Sequence, residues 1–105
     1  MPNWHDLEHL LAHHVPLGEV TTYGDVSAHF YNGVRNRGQP VSAMLGAIAR
    51  QVQPDLSHRV VRDDGSMAPG RPGGPGHQQA MLTAEGVTFD QYGHVDLAVH
   101  RSVLP

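Results

Sequence analysis

The sequence predicts a mostly helical domain with one small β-hairpin, in which two short helices are joined in the manner of a helix-turn-helix. Three observations lead there. Apolar residues recur at helical spacing in three stretches before residue 53, each behind a recognisable helix start. Glycine and proline, 12 and 8 of 105 residues, crowd the second half and leave room there only for short elements. Near the C-terminus, strand-forming residues flank a glycine-containing turn. A chain of this length fits one domain over residues 1–105 and is too short for a multidomain enzyme.

Asn3, with Asp6 three residues on, marks the start of a first helix, in which Trp4, Leu7, Leu10, Leu11 and His14 keep helical spacing until Pro16. Thr22 and Asp25 read as a capping box for a second helix running to about Tyr31, with Val26 and Phe30 inward. The turn-rich stretch 32–40 follows. A third helix starts at Pro40 or Val41 and carries the stripe Val41, Met44, Leu45, Ile48 and Val52. His58–Arg62 reads as a short strand stopped by Asp63-Asp64-Gly65, and residues 69–76 as a surface loop whose Gly and Pro suit neither periodicity. Gln78–Glu85 is a fourth short helix ended by Gly86, and 87–97 a small hairpin.

Composition narrows the chemistry. There is no cysteine, which excludes disulfides, thiolate metal sites and cysteine nucleophiles together. No run approaches the roughly 18 consecutive apolar residues of a membrane span, and no basic segment precedes the first apolar stretch, so a cytoplasmic protein with no membrane partner is expected, nucleoid-associated if bacterial. The net charge is -3, unevenly spread: residues 35–71 hold six of the seven arginines against Asp55, Asp63 and Asp64, while both flanking segments are acidic. That basic segment surrounds the third helix and suits contact with phosphate, with strong salt dependence. Histidine is abundant at nine copies, and His5, His9 and His13 recur every four residues on the first helix, a spacing able to bind zinc or nickel. Without an HExxH pattern they read as an exposed polar face, and no metal or other cofactor is expected.

Three blocks carry a more specific signal: Val15-Pro16-Leu17-Gly18-Glu19-Val20-Thr21-Thr22-Tyr23-Gly24-Asp25-Val26, then Ser57-His58-Arg59-Val60-Val61 with Asp64-Gly65, then Ala84-Glu85-Gly86-Val87. In this order and spacing they resemble the DNA-binding, active-site domain of the O6-alkylguanine-DNA alkyltransferases, whose blocks run P-x-G-x-V-x-T/S-Y-G, P-C-H-R-V and E-G. The likeness spans residues 4–98, and the tail 85–97 is especially similar to the alkyltransferase-like proteins, which lack the acceptor cysteine.

The resemblance implies a winged helix-turn-helix that enters the minor groove of double-stranded DNA and flips an alkylated guanine into a pocket. It implies Thr22, Tyr23, Arg35, Arg37, Ser42, Ala43, Met44, Gly46 and Arg50 as DNA-binding positions, and Tyr23, Ser57, His58, Arg59, Val60 and Glu85 as pocket positions. The acceptor position is Ser57, a far poorer nucleophile than an activated thiolate, so the implied protein is not an enzyme but a flag for damage, with nucleotide excision repair proteins as partners. The sequence departs from the pattern in four places. Ala43 stands where the family's intercalating arginine falls, Leu56 replaces the proline before the acceptor, one residue is missing between Pro40 and Gly46, and the linker from Gly46 to Ser57 is short. Arg35 or Arg37 is a candidate substitute for that arginine, and the alternative is a winged-helix DNA-binding or protein-interaction module that has lost lesion recognition.

Overall fold

The computed structural model describes residues 1–52, 54–71 and 73–105. Local signals place the first three helices. Helix α1 (Trp4–His14) begins at Asn3, whose side chain accepts from the His5 and Asp6 amides while the Asp6 carboxylate accepts from the Asn3 amide at 2.9 Å, a reciprocal cap. Helix α2 (Tyr23–Phe30) is capped by the Thr22 hydroxyl, which accepts from the Asp25 amide at 3.1 Å. The reciprocal half expected of Asp25 is not made, because arginines take its carboxylate. Helix α3 (Gly38–Gln51) starts two residues before Pro40, which therefore sits inside the first turn, where its missing N–H costs nothing.

Helices α1 and α2 both pack on α3. Leu7, Leu10, Leu11, Val26, Val41, Met44, Leu45 and Ile48 meet there in a core that also takes in Val15 and Val60. A second core gathers Val20, Val61, Met67, Leu82, Val87 and Val95. The seam between them is a two-stranded parallel sheet, β1 (Thr21–Thr22) with β2 (Val60–Val61). Successive strand residues point to opposite faces, so Val60 enters the first core and Val61 the second.

The expected strand 58–62 is thus only two residues long. Ser57–Arg59 forms a 3-10 turn before it, and its partner lies 39 residues upstream, where nothing local signals a strand. The hairpin at 87–97 contracts to one antiparallel bridge, Phe89 with Val95, because the Asp90 carboxylate accepts from the Tyr92 and His94 amides and curls the turn. The chain then forms the short helix α5 (Leu97–His100), and Val20 bridges to Arg101.

Helix α4 (Gly74–Ala84) starts four residues earlier than expected, so residues 74–76 of the anticipated loop are its first turn. Gly73 precedes it at φ +82, a conformation only glycine adopts readily, and Pro75 preorganises the turn. Pro72 of that loop lies outside the described residues. Gln78 on α4 is buried, and its amide donates to the carbonyls of His58 and Val60 while its oxygen accepts from the Ala68 amide, pinning turn, strand and following loop together. The result is a mostly helical fold compatible with a winged-helix arrangement.

Candidate nucleic-acid interface

The N-terminal end of α2 sets one wall of the site. Tyr23 opens the helix, half-buried, and the Gly24 amide donates to Asp63 at 2.8 Å. A Cβ there would crowd the Asp63 carboxylate and the Arg35 guanidinium, so a larger residue would push these two half-exposed side chains aside. Asp25 accepts from Arg35 at 2.8 Å and from Arg101 at 2.6 and 2.7 Å. Burial raises the Asp25 carboxyl, but the two guanidinium groups together outweigh it and hold the carboxyl below its ordinary range.

Helix α3 supplies the facing wall. Ser42, Ala43 and Arg50 are exposed on it, and Arg50 folds back so that its guanidinium lies 3.4 Å from where a Cβ on Gly46 would stand. Met44 differs from expectation: it is buried in the first core and presents nothing to a ligand, since its spacing with Val41, Leu45 and Ile48 puts it on the inner face. Thr22 is also buried, its hydroxyl spent on the helix cap. Arg37 is exposed at the start of α3, whereas Arg35 is tied to Asp25.

Between these walls lies a half-enclosed cavity of about 390 Å³ lined by Tyr23, Ser42, Leu45, Gly46, Arg62 and the Ala68–Arg71 loop, a size ordinary for small-ligand sites. Tyr23 is the one expected pocket residue on its surface. Ser57, His58, Arg59, Val60 and Glu85 lie outside that lining. Ser57, fully buried, lies behind Arg71, which donates to the Ser57 carbonyl at 2.7 Å and to its hydroxyl. The hydroxyl also pairs with the Asp55 carboxylate, which accepts from the Ser57 amide at 3.0 Å. On the far side of the turn, Glu85 joins His58 at 2.9 Å and Arg59 through two contacts of 3.0 Å, and Arg59 also donates to the Val15 carbonyl. Burial raises the Glu85 carboxyl, but bonds from Arg59 and His58 bring it below its ordinary value.

The profile of the family described as "6-O-methylguanine DNA methyltransferase, DNA binding domain" matches residues 8–87. The chain belongs to this family. No curated protein sequence matches it. Among solved structures it is similar to Schizosaccharomyces pombe Atl1 in complex with damaged DNA containing O6-carboxymethylguanine, at 21% identity and a TM-score of 0.68, over 93% of this chain and 92% of that one. It is similar also to S. pombe ATL in complex with DNA, at 20% identity and a TM-score of 0.61, over 88% and 84%.

Within this methyltransferase-family fold, several cavity residues carried little signal in the sequence. Arg62 and Arg71 belonged to the basic segment without being set apart, and Leu45 read as plain core. The sequence sign for Arg71 is a lone charge inside a Gly/Pro run. The histidines of α1 stay away from the cavity lining. His9 and His13 place their rings 4.1 Å apart, His5 stacks on Trp4, and among the described residues no three His, Cys, Asp or Glu side chains converge as a metal site. Nor, among those residues, is any helix long and apolar enough to cross a membrane.

Proposed function

We propose that this domain is a non-catalytic reader of damaged DNA. It binds double-stranded DNA from the minor-groove side with α2 and α3, receives a flipped O6-alkylguanine in the cavity beside Tyr23, and marks the site for repair proteins, nucleotide excision repair being the partner class. The observation that carries the reading is a half-enclosed cavity of about 390 Å³ beside Tyr23 with no thiol on its surface. Taking a guanine out of the stack costs a few kcal/mol and needs a receiving pocket next to the duplex. Tyr23 is suited to steer the nucleotide. Burial raises its phenol above the ordinary value against the pull of Arg71 and Arg62, so at neutral pH it keeps a proton to donate to a phosphate.

Alkyl transfer is disfavoured on chemical grounds. The chain has no cysteine, and the Ser57 hydroxyl is buried between Asp55 and Arg71 with no strong base to ionise it. Fluorescence anisotropy of a duplex carrying O6-methylguanine, against its unmodified twin at two salt concentrations, tests the reading. We expect a preference of about tenfold or more, about 1.4 kcal/mol, and no gain of a methyl mass on the protein. Equal, salt-sensitive binding overturns lesion recognition and leaves a general DNA binder. That second reading is favoured by Ala43, which is exposed on α3 and has nothing with which to fill the gap left by a flipped base.

A further inference from the structure

Helix α1 carries a pair of side chains that lesion reading does not use. Its inner face, Leu7, Leu10 and Leu11, is buried in the first core, and the reciprocal cap between Asn3 and Asp6 fixes its start. The outer face therefore stands on a rigid support. His9 and His13 are exposed there, four residues apart and so neighbours on the helix surface, with ring centroids 4.1 Å apart and planes inclined by 40°. Among the described residues neither imidazole has a hydrogen bond or an ion pair, so their nitrogens are open to a ligand. His5, one turn nearer the helix start, is instead stacked on Trp4 with a centroid distance of 3.6 Å.

We infer that His9 and His13 form a two-ligand site for a divalent transition-metal ion of the zinc, nickel and copper class. A metal about 2.0–2.1 Å from each imidazole nitrogen places the two nitrogens about 3 Å apart. Rings whose centroids are 4.1 Å apart reach that separation by small side-chain rotations. Imidazole suits these ions, whereas magnesium and calcium take oxygen ligands. No third His, Cys, Asp or Glu joins the pair among the described residues, so the other coordination positions fall to water and the site is open rather than structural. Both histidines lie off the cavity lining, so the site stands or falls independently of lesion reading.

The test is calorimetric titration of the whole chain at neutral pH with zinc, nickel and magnesium chloride in turn. We expect one zinc or nickel ion per chain and no uptake of magnesium. His9→Asn and His13→Asn, which alter exposed side chains and should fold, should each weaken zinc binding at least about tenfold, since even the outer-shell partners of metal ligands are worth that much. His5→Asn should leave zinc affinity unchanged. Zinc uptake that survives both His9→Asn and His13→Asn overturns the inference, because the metal is then held by other histidines. A loss in only one of the two variants, or an equal loss in His5→Asn, overturns the assignment to this pair. Magnesium bound as tightly as zinc shows a general attraction of cations to an acidic chain, and the inference fails.

Discussion

Two arginines flank the Ser57–Arg59 turn in opposite surroundings. Arg59, nine per cent exposed, has both oxygens of Glu85 and the Val15 carbonyl. Arg71 meets only the carbonyl and hydroxyl of Ser57, with a cavity in front of it. On the Arg59 side the charges of Arg59 and Glu85 meet each other, so an anion could reach Arg59 only by breaking bonds already made. On the Arg71 side the fold leaves a charge undercompensated beside open volume. The comparison teaches that one short turn separates the part of the site that stabilises the fold from the part free to bind.

The largest expected effect is on the closed side. Glu85→Ala leaves Arg59 buried without its anion and His58 without its partner, and should cost about 3 kcal/mol in urea unfolding, the low end for a broken buried pair because Glu85 is not fully enclosed. The pH dependence has a definite sign. With its folded carboxyl below the ordinary value, Glu85 contributes stability that is complete above the unfolded value, about 4.3, and is lost as pH falls through the folded one. Wild type should therefore lose stability faster than Glu85→Gln between about pH 5 and 3. Parallel curves would break the comparison at its stronger end.

Gln78 joins the two sides. It serves the carbonyls of His58 and Val60 and the amide of Ala68, which borders the cavity. Gln78→Leu keeps the volume and strands three buried backbone groups, so about 2 kcal/mol should be lost. At temperatures where the variant stays folded, lesion-duplex affinity should fall too, because the loop leading to Arg71 loses its anchor. Stability lost with affinity untouched would mean that the loop holds its place without α4.

The open side should respond the other way. Arg71→Met removes a partly buried cation that makes no ion pair among the described residues, and the gain from removing it offsets the two bonds lost to Ser57, so unfolding should change by less than about 1 kcal/mol in either direction. Affinity for an O6-alkylguanine duplex should fall about tenfold. A large loss of stability would show that Arg71 acts chiefly as a clamp on Ser57.

What could be read in advance divides along the same line as locality. The Asn3 cap, the Thr22 cap and the stripe of α3 depend on residues within a turn or two, and the sequence displays them. The Tyr23-Gly24 and Ser57–Val60 blocks announced a family because they recur in a known order. The sheet did not show, since two strands of two residues each carry no period and meet only through the fold. Nor did the pairing of Asp25 with Arg101, 76 residues apart, which diverts the carboxylate from the cap it was expected to make. Arg71 shows the limit most sharply. Its position in a Gly/Pro run suggests mobility, yet the fold holds it against Ser57, with the Gly74 amide at the start of α4 donating to the Arg71 carbonyl at 2.9 Å.

The smallest effect concerns a residue on neither side of the turn. Ala43 is exposed on α3, on the helix face that also carries Arg50. Ala43→Arg disturbs no packing and exchanges one good helix former for another, so stability should stay within about 0.5 kcal/mol. If the arginine merely adds a phosphate contact, affinity for modified and unmodified duplexes should rise together and the salt slope steepen by about 0.9. If it fills the gap behind a flipped base, the gain should be confined to the O6-alkylguanine duplex, because only there is an unstacked base held out by the cavity. Measuring the two duplexes side by side separates these outcomes. A gain for the modified duplex alone is expected, and it would show that the open side already receives the base and lacks only the wedge that keeps it there.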